Sequence, residues 1–273
     1  MPRTTRLAIL GAGNIGAAIA EGLVQAGGRS PADITVTRRK TELLESFRGR
    51  GFTVSGNNRE AVRGAVMVLV AVEPQQIDGL LREIAPDLKP GAHTLISVVS
   101  GVSIAQIRAI VGTQLAVVRA MPNTAIGIRD SMTCITSDDS TGGAVTAARS
   151  LFDAVGKTLV IDEEQMVAAT ALGACGVAFF LRAIRAASQG GIEVGLQTDE
   201  ALLIAAQTAR GAASLLLSRE GHPEREIDRV TTPRGCTITG LNVMEHEGFS
   251  SAMIRGIVAS AEKASKLYRS GDG

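Results

Sequence analysis

Three glycines at a fixed spacing, in Gly11-Ala12-Gly13-Asn14-Ile15-Gly16, are the first residues of this chain whose pattern points to chemistry. They follow the apolar run Leu7-Ala8-Ile9-Leu10 and open a helical pattern that reaches about Gly27. Between a strand and a helix each glycine has a task. Gly11 permits a tight turn, Gly13 lets the backbone approach a pyrophosphate, and Gly16 lets the helix pack close to the strand. The amides at the helix start then face the phosphates of a dinucleotide. The competing reading is an ordinary structural turn. The residues after the second strand, Ile34-Thr35-Val36-Thr37, decide which dinucleotide fits. A carboxylate there binds the ribose hydroxyls of NAD, whereas an arginine accommodates the extra phosphate of NADP. Arg38-Arg39-Lys40 stands there, and the first carboxylate is Glu42. NADP is therefore expected, with NADPH preferred over NADH through Arg38 or Arg39; the alternative is a solvated helix entrance.

The second stretch is Val230-Thr231-Thr232-Pro233-Arg234-Gly235-Cys236-Thr237, continuing to Glu245. A proline-glycine loop rich in hydroxyls leads into a helix, with Thr237 as the expected cap. Free amides and a threonine hydroxyl at such a place can hold a small carboxylate, or the segment is simply a capped turn. No other side chains compete for a catalytic role. Cys134, Cys175 and Cys236 are too few and too scattered for a disulfide framework, and no Cys-x-x-Cys or histidine cluster suggests a metal. Cys175 and Cys236 read as small packing residues. His93, His222 and His246 fall at a strand start or in polar segments and read as structural or surface groups.

The elements that must position these residues change character along the chain. After the first βαβ unit, strands are expected at 66–72, 93–97 and 116–120, separated by helices at 76–84 and 104–110. Further strands are expected at 127–135 and 158–161. Alternating strands and helices imply a mostly parallel sheet covered on both faces. From Glu163 onward the chain reads helical, in alanine- and leucine-rich segments at 165–187, 198–217 and 249–268. Gly190, Gly191 and Gly195 are expected to break the first two of these apart. The fold class is therefore α/β, with a Rossmann domain over 1–162 followed by an all-α domain over 163–273. That helical half lacks tryptophan and has few aromatics, so it either packs on itself within one chain or completes its core in a homodimer. With 28 basic against 27 acidic residues, nucleic acid is not an expected partner. The apolar opening is interrupted by glycines, Asn14 and Glu21, and the later apolar stretches carry charges or glycines. Neither a signal peptide nor a membrane span is expected, and a cytoplasmic location is.

Over nearly its full length the chain resembles the pyrroline-5-carboxylate reductase family. The resemblance is carried in order by Gly11-Ala12-Gly13-Asn14, Val72-Glu73-Pro74-Gln75, Met121-Pro122-Asn123-Thr124, the helix with Gln207-Thr208, and Thr231 to Glu245. It implies reduction of a cyclic imine acid by a reduced nicotinamide, in a Rossmann half joined to an intertwined helical dimerisation half, often within a larger ring of dimers. It further implies cofactor contacts from Gly11, Gly13, Asn14, Ile15 and Gly16, and from Val72, Pro74, Met121 and Asn123 beside the nicotinamide. Thr232, Gly235, Cys236 and Thr237 would cradle the substrate carboxylate, with Thr237 the candidate catalytic residue and Gly176 also near the substrate. Since a protonated imine is already electrophilic, no histidine base is required.

Five positions depart from the family pattern. The family usually has lysine where Glu73 stands, proline where Val177 stands, an acidic residue where Arg185 stands, and small residues where Arg234 and Cys236 stand. These changes imply either a divergent branch of the same enzyme or a pocket for another cyclic imine. A β-hydroxyacid-type dehydrogenase is the competing enzyme, but its mechanism uses a lysine, and none lies between Glu163 and Arg229. A non-catalytic NADP sensor would bind cofactor without turnover.

Overall fold

The computed structural model describes residues 6–139, 142–219 and 221–267. They form two compact units. The first runs to Cys175 and takes in Ser260–Leu267 as well; the second is Gly176–Ala259. The sequence-based division at 162/163 lies at the start of the helical stretch that ends the first unit.

One eight-stranded sheet carries the first unit. Its strands are β1 (Leu7–Leu10), β2 (Ile34–Thr37), β3 (Thr53–Ser55), β4 (Met67–Val70), β5 (Thr94–Ser97), β6 (Ala116–Met121), β7 (Ser131–Ser137) and β8 (Gly156–Val160). They lie in the order β3-β2-β1-β4-β5-β6-β7-β8, and every pair is parallel except β6 with β7. The helices of this unit are α1 (Asn14–Gln25), α2 (Glu45–Gly49), α3 (Asn58–Arg63), α4 (Ile77–Ile84), α5 (Ile104–Val111), α6 (Gly143–Asp153) and α7 (Met166–Ala169). The central strands are buried on both faces, which is why they read as unbroken apolar runs. Successive side chains alternate between two cores. Ile9, Leu69, Ile96 and Val118 pack with Ile19 and Phe152 on one face. Ala8, Val68, Leu95 and Val117 pack with Ile77, Leu81 and Ile107 on the other.

β1 and β2 fall where the sequence places them. The expected strand at 66–72 is shorter, because Ala71 and Val72 leave the ladder to form a loop. The expected strand at 127–135 shifts to Ser131–Ser137, after a 3-10 turn at Thr124–Ile128. α7 continues without a break into a π-helical turn, Thr170–Cys175.

The second unit comprises α8 (Gly176–Glu193), α9 (Thr198–Arg219), α10 (Pro223–Val230), α11 (Cys236–His246) and most of α12 (Phe249–Ala264). Tyr268, expected to end the last helix, lies outside the described residues. The expected break at Gly190 and Gly191 is corrected, since α8 runs through both to Glu193. Gly191 serves close packing instead. A Cβ there would lie 3.2 Å from the Ala201 Cβ of α9, and the turn itself falls to Gly195 with φ +108°. Around this hairpin, Phe180, Leu181, Leu203, Ile204, Leu217 and Val243 are exposed. Contrary to the sequence reading, the helical stretches 163–193 and 198–218 are long and apolar enough to cross a bilayer by length and composition alone.

Candidate active site

The sheet order reverses between β1 and β4, and a cleft opens there at the carboxyl ends of the strands, where open α/β sheets bind ligands. It holds about 540 Å³ and is lined by Gly11, Ala12, Gly13, Thr37, Arg38, Arg39, Lys40, Asn58 and the loop Ala71-Val72-Glu73, among others. The glycine turn forms its floor. The Gly11 and Ala12 amides donate to the Thr37 carbonyl at 3.2 and 2.9 Å, tying the turn to the end of β2. Gly11 has φ +100°, and a Cβ there would meet the Ala71 carbonyl oxygen at 2.6 Å. A Cβ on Gly16 would meet the Gly11 carbonyl oxygen at 2.2 Å, so α1 starts pressed against the turn. Gly13 has nothing within 4 Å of a built Cβ and faces open space. Two glycines thus bring the helix start close, and the third leaves room for a ligand.

Three cations stand at one end of the cleft. Arg38 bends back so that its Nη1 donates to the Ala12 carbonyl at 3.4 Å. Arg39 and Lys40 are exposed and have no ion pair among the described residues. Sequence reasoning missed Asn58, which lines the same cleft. Its Oδ1 accepts from the Thr37 hydroxyl at 2.6 Å, and its Nδ2 donates to both Glu83 carboxylate oxygens at 3.2 and 3.1 Å. Its one sequence signal is the Asn57-Asn58 pair opening α3, where Asn57 Oδ1 caps the helix by accepting from the Glu60 amide. The cleft thus fits a phosphorylated dinucleotide, with a cradle that side chains at Gly11 or Gly16 would fill and a cationic end for an extra phosphate.

Of the expected cofactor residues, Gly11, Gly13, Arg38, Arg39 and Val72 line this cleft. Asn14, Ile15 and Gly16 are on α1 beneath it, and Pro74 begins the turn that leads into α4. Met121 ends β6 and is buried, with its sulfur 3.9 Å from the Ser100 hydroxyl. Asn123 follows, with its side chain bonded to the Ala125 amide and the Gly173 carbonyl.

In the second unit Thr232 and Gly235 lie in the loop before α11, and Cys236 and Thr237 open that helix. Arg234 holds a left-handed backbone, φ 60°. Gly235 leaves no room for a side chain, since a Cβ would lie 2.3 Å from Thr232 Oγ1. The expected capping role of Thr237 is corrected. Gly235 is the cap and α11 begins at Cys236, so Thr237 sits inside the first turn. Its exposed hydroxyl makes no hydrogen bond among the described residues. The first-turn amides of Cys236, Thr237 and Ile238 have no partner inside the helix, which is the geometry that attracts an anion. Gly176, also expected near substrate, is buried at the start of α8.

Residues 163–267 match the family described as pyrroline-5-carboxylate reductase dimerisation, and residues 6–101 match NADP oxidoreductase coenzyme F420-dependent. The chain is 49% identical over 96% of its length to pyrroline-5-carboxylate reductase 1 of Dictyostelium discoideum, spanning 50% of that longer protein. It is 45% identical to pyrroline-5-carboxylate reductase 2 of the same organism, covering 95% of this chain and 92% of the relative. Among solved structures, a pyrroline-5-carboxylate reductase from Coxiella burnetii superposes with a TM-score of 0.88 at 28% identity, covering 98% of this chain and 100% of that one.

Proposed function

The chain belongs to the pyrroline-5-carboxylate reductase family, and from that premise we infer how its residues share the work of the reaction. The enzyme reduces the cyclic imine 1-pyrroline-5-carboxylate to proline using NAD(P)H. When bound, the reduced nicotinamide supplies the hydride. The glycine turn and the start of α1 hold the pyrophosphate, with Gly11, Gly13, Asn14, Ile15 and Gly16 in contact or in support. Arg38 and Arg39 take the 2′-phosphate of NADPH, and Val72, Pro74, Met121 and Asn123 border the nicotinamide. The observation that carries this reading is the cationic end of the cleft. Arg38, Arg39 and Lys40 line it, and the glycine turn supplies a cradle that Cβ atoms would fill.

Thr232, Gly235, Cys236 and Thr237 hold the substrate carboxylate, with the Thr237 hydroxyl and the first-turn amides of α11 as donors. Gly176 lies toward the substrate end. The enzyme's main task is orientation, since the imine nitrogen can take its proton from water and the acceptor carbon is already electrophilic. Residues 1–162 act as the cofactor domain and 163–273 as the dimerisation and substrate domain. The helical half carries the family's dimerisation segment, and homodimerisation covers the apolar faces of α8 and α9 that would otherwise lie in water. A ring of such dimers and a cytoplasmic location complete the proposal. The test is spectrophotometric. NADPH oxidation is followed with 1-pyrroline-5-carboxylate, 1-pyrroline-2-carboxylate and the six-membered imine acid. Turnover confined to either of the latter two would overturn the substrate assignment.

A further inference from the structure

Within the first unit one side chain ties the loop after β6 to the π-helical turn. Asn123 is only 9% exposed, and each of its polar atoms has a partner. Its amide donates to Ser131 Oγ at 3.1 Å, and its carbonyl accepts from the Ile126 amide at 3.1 Å. Its Oδ1 accepts from the Ala125 amide at 3.0 Å, while its Nδ2 donates to the Gly173 carbonyl at 3.1 Å. Ser131 Oγ lies in turn 3.3 Å from the Thr133 hydroxyl, and both residues are buried. Gly173 is in the middle of the turn Thr170–Cys175. A π-turn accommodates one extra residue, so its carbonyls lose their regular α-helical donors, and such turns persist mostly at functional sites. Here the Asn123 side chain supplies a donor for the Gly173 carbonyl. At the start of the turn the Thr170 hydroxyl, at 2.8 Å, joins the Thr170 amide on the Met166 carbonyl.

We propose that Asn123 is a positioning residue for hydride transfer, which holds the π-helical turn Thr170–Cys175 in register through the Gly173 carbonyl. This rests on the proposed function, in which the nicotinamide lies against Met121–Thr124 and the substrate lies toward Gly176. One amide then fixes the loop beside one reactant and the turn that leads to residues serving the other. Relaxation of the π-turn to α would shift the following residues of the helix by about 100° of phase, the rotation per residue of an α-helix. Near-attack geometry does not survive a displacement of that size. The residue type follows from the same geometry, because an amide presents an acceptor to Ala125 and a donor to Gly173 at once. An ionised aspartate keeps the acceptor but repels the Gly173 carbonyl, and a protonated aspartic acid restores the donor.

The test compares wild type with Asn123→Asp and Asn123→Ala, assayed with 1-pyrroline-5-carboxylate and NADPH from about pH 5.5 to about pH 8.5, a range that brackets a raised carboxyl pKa. Hydrogen exchange of amides 170–175 is measured alongside. Relative to wild type, Asn123→Asp should lose about tenfold in kcat at the alkaline end and regain most of it on acidification, the size expected for one lost buried hydrogen bond. Asn123→Ala should lose a similar factor at every pH. In both, the turn should exchange faster and the loss in kcat should exceed any rise in the KM for NADPH, because the Asn123 side chain is bonded to Ala125 and Gly173 and serves the nicotinamide through its loop. Thr170→Val, which removes the other side-chain tie, should also speed exchange and lower kcat, and it serves if the Asn123 variants do not fold. Unchanged exchange in the turn would overturn the proposal, as would an Asn123→Asp to wild-type ratio that does not change with pH. A higher KM for NADPH at unchanged kcat would also overturn it, making Asn123 a direct cofactor contact. A wild type that leaves the imine unreduced defeats the functional reading instead, and exchange still judges the role of Asn123 in the turn.

Discussion

Replacing Thr237 by valine separates substrate binding from helix capping more sharply than the sequence alone allows. Thr237 lies inside the first turn of α11, Gly235 is the cap, and the threonine hydroxyl has no protein partner among the described residues. The hydroxyl therefore contributes little to folding. Its loss at an exposed position should change stability by no more than about 0.5 kcal/mol. A cap residue would instead cost about 0.5–2 kcal/mol of stability when truncated. If the hydroxyl donates to the substrate carboxylate, its deletion removes a hydrogen bond to a charged group, worth about 1.5–3 kcal/mol. At about 1.4 kcal/mol per tenfold, kcat/KM should fall by roughly ten- to 150-fold. Valine preserves the β-branched shape, so the loss reports the hydroxyl alone. The assay measures kcat/KM for the imine acid and for the same cyclic imine without its carboxylate, together with the KM for NADPH and the thermal midpoint. The penalty should shrink to a few-fold for the imine that lacks the carboxylate. An equal penalty for both imines, or a large drop in thermal stability with little kinetic effect, would refute the carboxylate role.

Replacing Arg38 and Arg39 together by glutamine tests their proposed hold on the 2′-phosphate and should raise the KM for NADPH at least about tenfold, while NADH changes little; an unchanged ratio of cofactor efficiencies would remove both arginines from the phosphate site. The glycine turn offers a contrast in one pair of variants. Gly13→Ala should fold as wild type but bind NADPH poorly, because its Cβ projects into open cleft. Gly16→Ala should lose roughly 1–3 kcal/mol of stability by overpacking against the Gly11 carbonyl, and thermal melts with and without NADPH distinguish the two. His93 provides a pH test. Its Nδ1 accepts from the Lys89 amide, and burial, with the nearby Lys89 charge, holds its pKa below the ordinary histidine value. Its folded pKa lies below its unfolded one, so its contribution to stability is present above the unfolded value and is lost as pH falls through the folded one. The thermal midpoint should therefore drop on acidification below about pH 6.5, and His93→Gln should flatten that part of the curve; an identical slope in the variant would absolve His93.

The glycine turn is legible in the sequence because its roles depend on what is absent. A missing Cβ at Gly11 and Gly16 speaks directly of close approach, and the neighbouring strand and helix patterns say what approaches what. Asn58 is not legible, since it reaches the cleft only because α3 brings it beside Thr37 at the end of β2. Periodicity says nothing of such a crossing. The break expected at Gly190 and Gly191 fails for a related reason: glycine both ends helices and lets them pack closely, and only the facing Ala201 decides between these. Thr237 reads as a cap because capping preferences register side-chain acceptors, whereas Gly235, with no side chain, takes that position. The π-turn is invisible because Thr170–Cys175 is an ordinary helical sequence, and one of the contacts that sustains it comes from Asn123, far away along the chain.

The departures from the family pattern can be weighed by the same reasoning at the substrate loop. The resemblance puts a small residue where Arg234 stands, and the structure gives that position a left-handed backbone, φ 60°, beside a glycine with no room for a Cβ. Glycine adopts such a conformation freely, whereas an arginine adopts it at some cost. A small residue and an arginine can therefore share this backbone, the arginine at some cost. A substitution that keeps the conformation leaves the first-turn amides and the Thr237 hydroxyl where a carboxylate would need them, and adds an exposed cation next to them. Arginine at this place adds an exposed positive charge to the loop. A pocket remade for a larger ring would need lost bulk, whereas an arginine in place of a small residue adds it, and so Arg234 argues for a divergent branch acting on the same imine acid.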